Sequence, residues 1–264
     1  MADTDAATVH AAEAAIFDRK KLSLEAAASA GLPGRFAWIQ LDGLRASVAT
    51  AHQFGFLNVV EGVTDESASA LPEALDRFAA PHHATVVATS PSPDLIARLR
   101  SGGFEPAATR PIAYLRLDSA SLHTAIMDRW EIRQVNTGQE AILFADILDA
   151  GYAASNDVSS LIRAEHARAE VRAFIAFGDS VPLAAAAMSA HRTGAVLGGA
   201  STLSMARGAG AQSALLMHRL RVARDIGCPL AAASAAPGSP SIRNLARLGF
   251  TVVDRTAWRL TRSS

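Results

Sequence analysis

"MARGAGAQSALL", residues 205–216, places an arginine and two glycines directly ahead of an apolar run with helical spacing. It follows "GAVLGGAST" (194–202), a run suited to a strand. A helix N-terminus has unpaired backbone N–H groups and a partial positive charge, so it attracts anions. Each such contact is worth roughly 0.3–1 kcal/mol at an exposed site. Glycine lets the backbone turn several N–H groups toward one phosphate, and Arg207 adds a charge-assisted donor. The stretch reads either as a phosphate cradle or as a plain loop that opens a helix.

Spacing removes two kinds of cradle. A P-loop requires Lys and then Ser or Thr after its last glycine, but Gly210 is followed by Ala211, Gln212 and Ser213. A dinucleotide fingerprint requires a third glycine or alanine where this chain has Ser213. It also requires an acid at the end of the next strand, where this chain has Ser234 and Ala235.

Upstream, "WEIRQV" (130–135) alternates like a strand, and Thr137 can cap a helix over 138–152. A second helix is expected over 159–169. Strands are expected over 171–177, 182–189 and 194–202, with a turn at Gly178–Asp179 between the first two. Downstream come a helix over 211–226, a strand over 229–235, a helix over 240–248 and one closing strand over 251–261. Strands in a row followed by alternating helix and strand indicate an α/β fold, with a mixed sheet flanked by helices.

The pattern occurs twice. An offset of 146 sets "DLIARLRSGGF" (94–104) on "PSIRNLARLGF" (240–250), aligning Gly103 with Gly249 and Phe104 with Phe250. Strand candidates "ATVVATS" (84–90) and "LAAASAA" (230–236) precede them. The same offset sets "EALDRFAA" (73–80) against 219–226, and brings "EGVTDE" (61–66) onto the glycine-rich loop. Glu61 then replaces Arg207, and three acidic side chains face the place of a phosphate, where like charges repel by about 1–4 kcal/mol each. Two related domains follow, 1–125 and 126–264, with a boundary near the polar stretch 118–130.

The totals fit this division. A length of 264 residues has room for two domains. Lys plus Arg and Asp plus Glu number 25 each, so the basic surplus of a nucleic-acid binder is missing. A single cysteine, Cys228, excludes an internal disulfide and suits a reducing compartment. The N-terminus lacks the layout of a signal peptide, and the weakly polar run 181–202 is broken by His191 and Arg192. The expectation is a cytoplasmic protein without nucleic-acid or membrane partners.

Between a strand and a helix, Arg207, Gly210 and Gln212 fall on an Arg/Gln-x-x-Gly-x-Gly/Ala pattern, although Gln212 departs from the usual small residue. A strand and then "SPSIRNLARLGF" (239–250) follow, a helix ending in Gly249–Phe250. In these features the sequence resembles the GNAT superfamily of acyl-CoA-dependent N-acyltransferases, over about 130–260. The resemblance implies two GNAT-like domains, the first degenerate and without a coenzyme A site, the second binding acetyl-CoA as co-substrate with no metal. It implies that two strands splay apart, with the backbone of Ser201, Thr202 and Leu203 holding the pantetheine arm. Arg207, Gly208, Ala209, Gly210, Ala211, Gln212 and Ser213 would hold the adenosine diphosphate. The helix near Ser241 would flank the arm, with Asn244 reaching it.

Acyl transfer to an amine requires a route for the amine's proton and a donor for the thiolate. The tyrosine that many members carry before the Gly-Phe ending is Leu245 here, and no carboxylate lies on 194–202. Tyr152, His191 and His218 remain as candidates, with Ser234 and Ser241 able to orient a water. Each has a plainer reading as packed or surface residue, so the catalytic residues stay unassigned. The expected function is N-acetyl transfer from acetyl-CoA to a small-molecule or peptide amine by direct attack in a ternary complex, as monomer or homodimer. The alternative is an acyl-CoA-binding sensor or regulatory module without catalysis.

Overall fold

The computed structural model describes residues 2–78, 84–118, 120 and 129–261, with side chains from residue 6 onward. The chain forms two compact units, each assembled from separate stretches. One comprises Met1–Arg19, Ala113–Ala233 and Asn244–Thr251, the other Lys20–Ile112, Ser234–Arg243 and Val252–Ser264. No helix among the described residues is long and apolar enough to cross a membrane.

The chain opens with α1 (Ala2–Ser29), an alanine-rich helix that the sequence reading did not anticipate. The hairpin of β1 (Phe36–Leu41) and β2 (Leu44–Ala49) follows. Its two-residue turn has both residues at positive φ, Asp42 at 45° and Gly43 at 86°, the twist that matches flanking strands. Next come β3 (Val59–Glu61), α2 (Leu71–Leu75), β4 (Thr85–Ala88), α3 (Pro93–Ser101), β5 (Phe104–Ala107) and β6 (Ile112–Arg116). The helix expected over 73–80 is therefore only the short α2, and residues 79 and 80 lie outside the described ones. Of the proposed boundary stretch 118–130, residues 119 and 121–128 also lie outside.

The second half runs β7 (Glu131–Gln134), α4 (Gly138–Tyr152), α5 (Asn156–His166), β8 (Val171–Gly178), β9 (Val181–His191), β10 (Gly194–Thr202) and α6 (Ala211–Asp225). It closes with β11 (Leu230–Ser234), α7 (Pro240–Arg247), β12 (Thr251–Val253) and β13 (Thr256–Leu260). Thr137 and Glu140 form a reciprocal capping box on α4. Ser155 caps α5, so that helix starts earlier than expected. Gly103 and Gly249, at φ 81° and 89°, end α3 and α7 in the same left-handed geometry, so the two Gly-Phe endings are one device used twice.

The first unit holds a seven-stranded sheet in the order β12-β6-β11-β10-β9-β8-β7. Strands β7 to β10 are antiparallel neighbours, while β10 and β11 are parallel. The second unit holds a six-stranded sheet, β1-β2-β3-β4-β13-β5, in which β3 and β4 are parallel and β13 is antiparallel to both of its neighbours. The core of that second unit gathers Val60, Val86, Leu95, Leu99 and Trp258.

The single closing strand expected over 251–261 is two strands that join different sheets. The break is at Asp254–Arg255, where the buried Arg255 guanidinium turns inward to Glu61 at 3.0 Å and to the Arg110 carbonyl at 2.9 Å. The gap-free alignment of the halves also fails upstream of β4. Thr85 and Ala231 correspond at the expected offset of 146, but their partners Val59 and Ala195 are 136 apart. The loop 61–66 therefore does not lie residue for residue on 207–212.

Candidate functional site

Strands β10 and β11 pair only at Ala195↔Ala231 and Val196↔Ala232. Beyond that, β10 continues to Thr202 alongside β9, and among the described residues its other backbone edge has no ladder partner. The register with β9 shifts between Gly198 and Ser201, and Gly199 takes a positive φ of 55°. Such a bulge re-aims backbone groups locally. Leu203 donates its N–H to Leu183 at 2.9 Å and so faces β9. Alternation along the strand then turns the backbone of Thr202 the opposite way, to the open edge.

The open edge is capped by side chains of this chain. The Ala200 N–H donates to the Tyr152 hydroxyl at 2.8 Å, and the Thr202 carbonyl accepts from Arg207 Nε at 3.4 Å. Desolvation holds the Tyr152 phenol above its usual pKa, although its ring is half exposed.

At the end of β10 the chain turns through Gly208 and Gly210, at φ 79° and 92°, into α6. Gly210 is the N-cap and offers no side chain to the helix. Arg207 and Ala209 spend their N–H groups on Ser204 and Ala206. Among the described residues, the N–H groups of Gly210, Ala211, Gln212 and Ser213 enter no hydrogen bond, as expected of a first helical turn. Arg207 is exposed, Ala211 is buried, and Gln212 turns back to accept from the Thr202 hydroxyl at 3.3 Å, so its bulk leaves the turn open. Four N–H groups beside a guanidinium are a donor set suited to a pyrophosphate.

Two glycines and one histidine build the floor of the bulge. A Cβ on Gly151 would meet Ser201 Oγ at 1.7 Å, so α4 lies on β10 only because that position is glycine. Ser201 is buried, and its hydroxyl has no hydrogen-bond partner among the described residues. A Cβ on Gly199 would meet His166 Nε2 at 2.3 Å. His166 Nδ1 lies 2.7 Å from the Ile162 carbonyl, which places the proton on Nδ1 and a bare lone pair on Nε2. That Nε2 is buried and unpartnered among the described residues. Burial, more than the nearby Arg19, pushes the imidazole pKa down against the pull of Glu165, so the ring is neutral at physiological pH. Sequence reading missed His166, because its only signal is the glycine that faces it across the fold.

The other candidates stand apart from the bulge. His191 ends β9 opposite Gly194, at the far end of β10, with Nε2 2.7 Å from Ser189 Oγ. His218, expected at the surface, is half-buried and packs edge-on to Phe174 at 4.9 Å; burial and the neighbouring Arg221 lower its pKa. Ser241 is exposed on the first turn of α7, and Asn244 Oδ1 already accepts from Arg247 at 2.8 Å. Leu245 is buried. Ser234 is exposed at the end of β11. Burial raises the Cys228 thiol pKa, which leaves it a poor nucleophile.

The acidic loop of the first half differs from expectation. Glu61 is buried and salt-bridged to Lys20 at 2.7 Å and Arg255 at 3.0 Å. Asp65 pairs with Arg98 and accepts from Ser92 at 2.9 Å. Two of the three carboxylates are thus neutralised by their own neighbours.

The chain is similar along most of its length to solved structures of the GNAT fold. A GCN5-related N-acetyltransferase from Kribbella flavida matches with a TM-score of 0.61 and 19% identity, over 89% of this chain and 95% of that one. A tandem GNAT protein from the clavulanic acid biosynthesis pathway matches with a TM-score of 0.58 and 15% identity, over 92% and 89%. The C-terminal domain of a putative lysylphosphatidylglycerol synthetase from Agrobacterium fabrum matches with a TM-score of 0.54 and 12% identity, over 92% and 93%. No protein-family model and no curated protein matches the chain. The fold is that of tandem GNAT-like domains, each a mixed sheet flanked by helices.

Proposed function

We propose that the chain is an acyl-CoA-dependent N-acetyltransferase that moves an acetyl group to an amine by direct attack in a ternary complex. The observation that carries this reading is the edge of β10 left without a strand partner, followed after one 3-10 turn by the glycine-rich start of α6. In this reading only the segment 126–264 binds acetyl-CoA, and the segment 1–125 does not.

Acetyl-CoA supplies an activated acyl group and a thiolate leaving group. The N–H groups of Gly210 through Ser213, with Arg207, hold its pyrophosphate, and the Thr202 backbone holds the arm. The Ala200 N–H, a fixed donor at the bulge, polarises the acyl carbonyl once the Tyr152 hydroxyl has moved off it. His166 Nε2, neutral and proton-free, accepts the proton of the attacking amine. Ser201 Oγ, also unpartnered, can relay it through water.

Release of free thiol from acetyl-CoA across a panel of primary amines tests the reading. Turnover with an amine, lost in His166→Gln, is the expected result. Coenzyme A binding without turnover on any amine would instead favour a sensor, in which Tyr152 stays on Ala200. Absence of coenzyme A binding would overturn both readings.

A further inference from the structure

The six-stranded sheet of the second unit has one face packed into the core through Val60, Val86 and Trp258. The opposite face carries an apolar patch of Val59, Val87 and Ala257, bordered by Ala107. A cavity of about 1010 Å³ opens on that face and is lined by Val59, Val87, Ala107 and four cations, Lys20, Arg110, Arg255 and Arg259. Its acids are Glu61 and Glu105.

Two of the cations are already neutralised. Glu61 Oε2 takes Lys20 and Glu61 Oε1 takes Arg255. Arg110 and Arg259 form no ion pair among the described residues, although Glu61 attracts Arg110 from a distance. Arg110 is half-buried, and its guanidinium has only a 3.5 Å contact with the Thr85 hydroxyl. Arg259 lies opposite Glu105 in the strand register, yet makes no ion pair among the described residues. Burial and the repulsion of Arg259 hold the Arg110 guanidinium below its usual pKa. A desolvated guanidinium beside a second cation is stabilised by a planar anion that both can reach. An apolar floor next to paired cations suits a ligand with one charged end.

We propose that this cavity binds a small organic anion, its carboxylate or phosphate held by Arg110 and Arg259 and its apolar body lying on Val59, Val87 and Ala107. The site uses none of residues 199–213, and of the catalytic candidates only Ser234 lines it. It gives the second unit a ligand of its own, as an effector site.

Calorimetric titration of the full chain tests this with benzoate, its neutral isostere benzamide, and inorganic phosphate. Benzoate is expected to bind saturably at millimolar concentrations or below, and benzamide to bind at least roughly tenfold more weakly. Arg259→Gln and Arg110→Gln should each weaken benzoate by about tenfold or more. Neither should lower the thermal midpoint, because each relieves a like-charge contact; a merely structural arginine would lower it. If Arg110→Gln does not fold, the exposed Arg259→Gln carries the test alone. Phosphate binding without benzoate binding would assign the site to free phosphate groups and overturn the apolar half of the inference. Absence of saturable binding by both anions, or unchanged affinity in Arg259→Gln, would overturn it entirely. Acetyl-CoA affinity, measured on the same variants, should not change; its failure in the parent chain would bear on the acyltransferase reading alone.

Discussion

The parallel pair β10–β11 and the parallel pair β3–β4 begin alike and end differently. Each is joined at two residue pairs, Ala195–Val196 with Ala231–Ala232 and Val59–Val60 with Thr85–Val86. Strand β10 then runs on to Thr202 with an open edge, and the N–H groups of Gly210 through Ser213 beyond it enter no hydrogen bond among the described residues. Strand β3 stops at Glu61, and its loop is tied up by its own side chains. The Thr64 N–H bonds Ser67 Oγ at 2.9 Å, the Ser67 hydroxyl bonds the Gly62 carbonyl at 2.8 Å, and Asp65 is held by Arg98. In the proposed reading this loop, bonded to its own side chains and with two of its three carboxylates paired, holds no coenzyme A.

The largest effect expected from this contrast is at Glu61. Replacing it by Ala leaves the buried Arg255 and the part-buried Lys20 without their shared anion, which should cost about 3–5 kcal/mol in chemical denaturation. The same pair sets a pH dependence. The cations hold the Glu61 carboxyl at about 2, against 4.5 for the free group, despite its burial. Its folded pKa is depressed, so this stabilisation is complete above pH 4.5 and is lost as pH falls from there toward 2. That linkage amounts to about 3 kcal/mol. Denaturation midpoints that stay flat over that interval would break the account of how β3 is sealed.

A second effect belongs to the β10 bulge. Gly199→Ala drives a methyl into His166 Nε2 at a residue with φ 55°. A cost of about 1–3 kcal/mol is expected from overpacking alone, together with loss of acetyl transfer. If turnover survives with the imidazole displaced, His166 is not the base.

The glycine turn is sharpened by a pair of variants. Gly210 sits at φ 92° with open space around a notional Cβ, the nearest atom being Trp130 Nε1 at 3.8 Å. Gly210→Ala and Gly210→Glu therefore share the same backbone strain and differ mainly in charge. The glutamate should weaken coenzyme A by about 1–4 kcal/mol beyond the alanine. Equal affinities would show that the turn only starts a helix.

Much of this was legible in the chain because it is encoded locally. Thr137 and Glu140 announce α4, the repeated Gly-Phe endings announce α3 and α7, and the glycine turn announces the start of α6. The traded strands were not legible. Ile112–Arg116 and Thr256–Leu260 are short apolar runs that suit any sheet, and the buried Arg255–Glu61 pair sits at the break that precedes the second of them. The turn Asp42–Gly43 between Leu41 and Leu44 is a strong hairpin signal that the repeat-based reading passed over. His166 and Ser201 carried no local signal, since what singles them out is a glycine from another element lying against each.

The smallest effect expected is the most direct probe of how β10 is kept open. Tyr152 caps the Ala200 N–H through its hydroxyl, and its ring is half exposed. Tyr152→Phe removes one hydrogen bond at an edge that water can reach, so stability should fall by no more than about 1 kcal/mol. If the hydroxyl competes with an acyl carbonyl for that N–H, acetyl-CoA should bind the variant slightly more tightly. A falling affinity would mean instead that the phenol itself contacts the ligand. With turnover measured beside affinity, the two cases separate cleanly. A competitor's removal raises affinity and leaves kcat in place, whereas a participating phenol's removal lowers kcat. In the proposed reading the counterpart loop binds no coenzyme A, so no substitution within 62–66 should change the affinity of the chain for it.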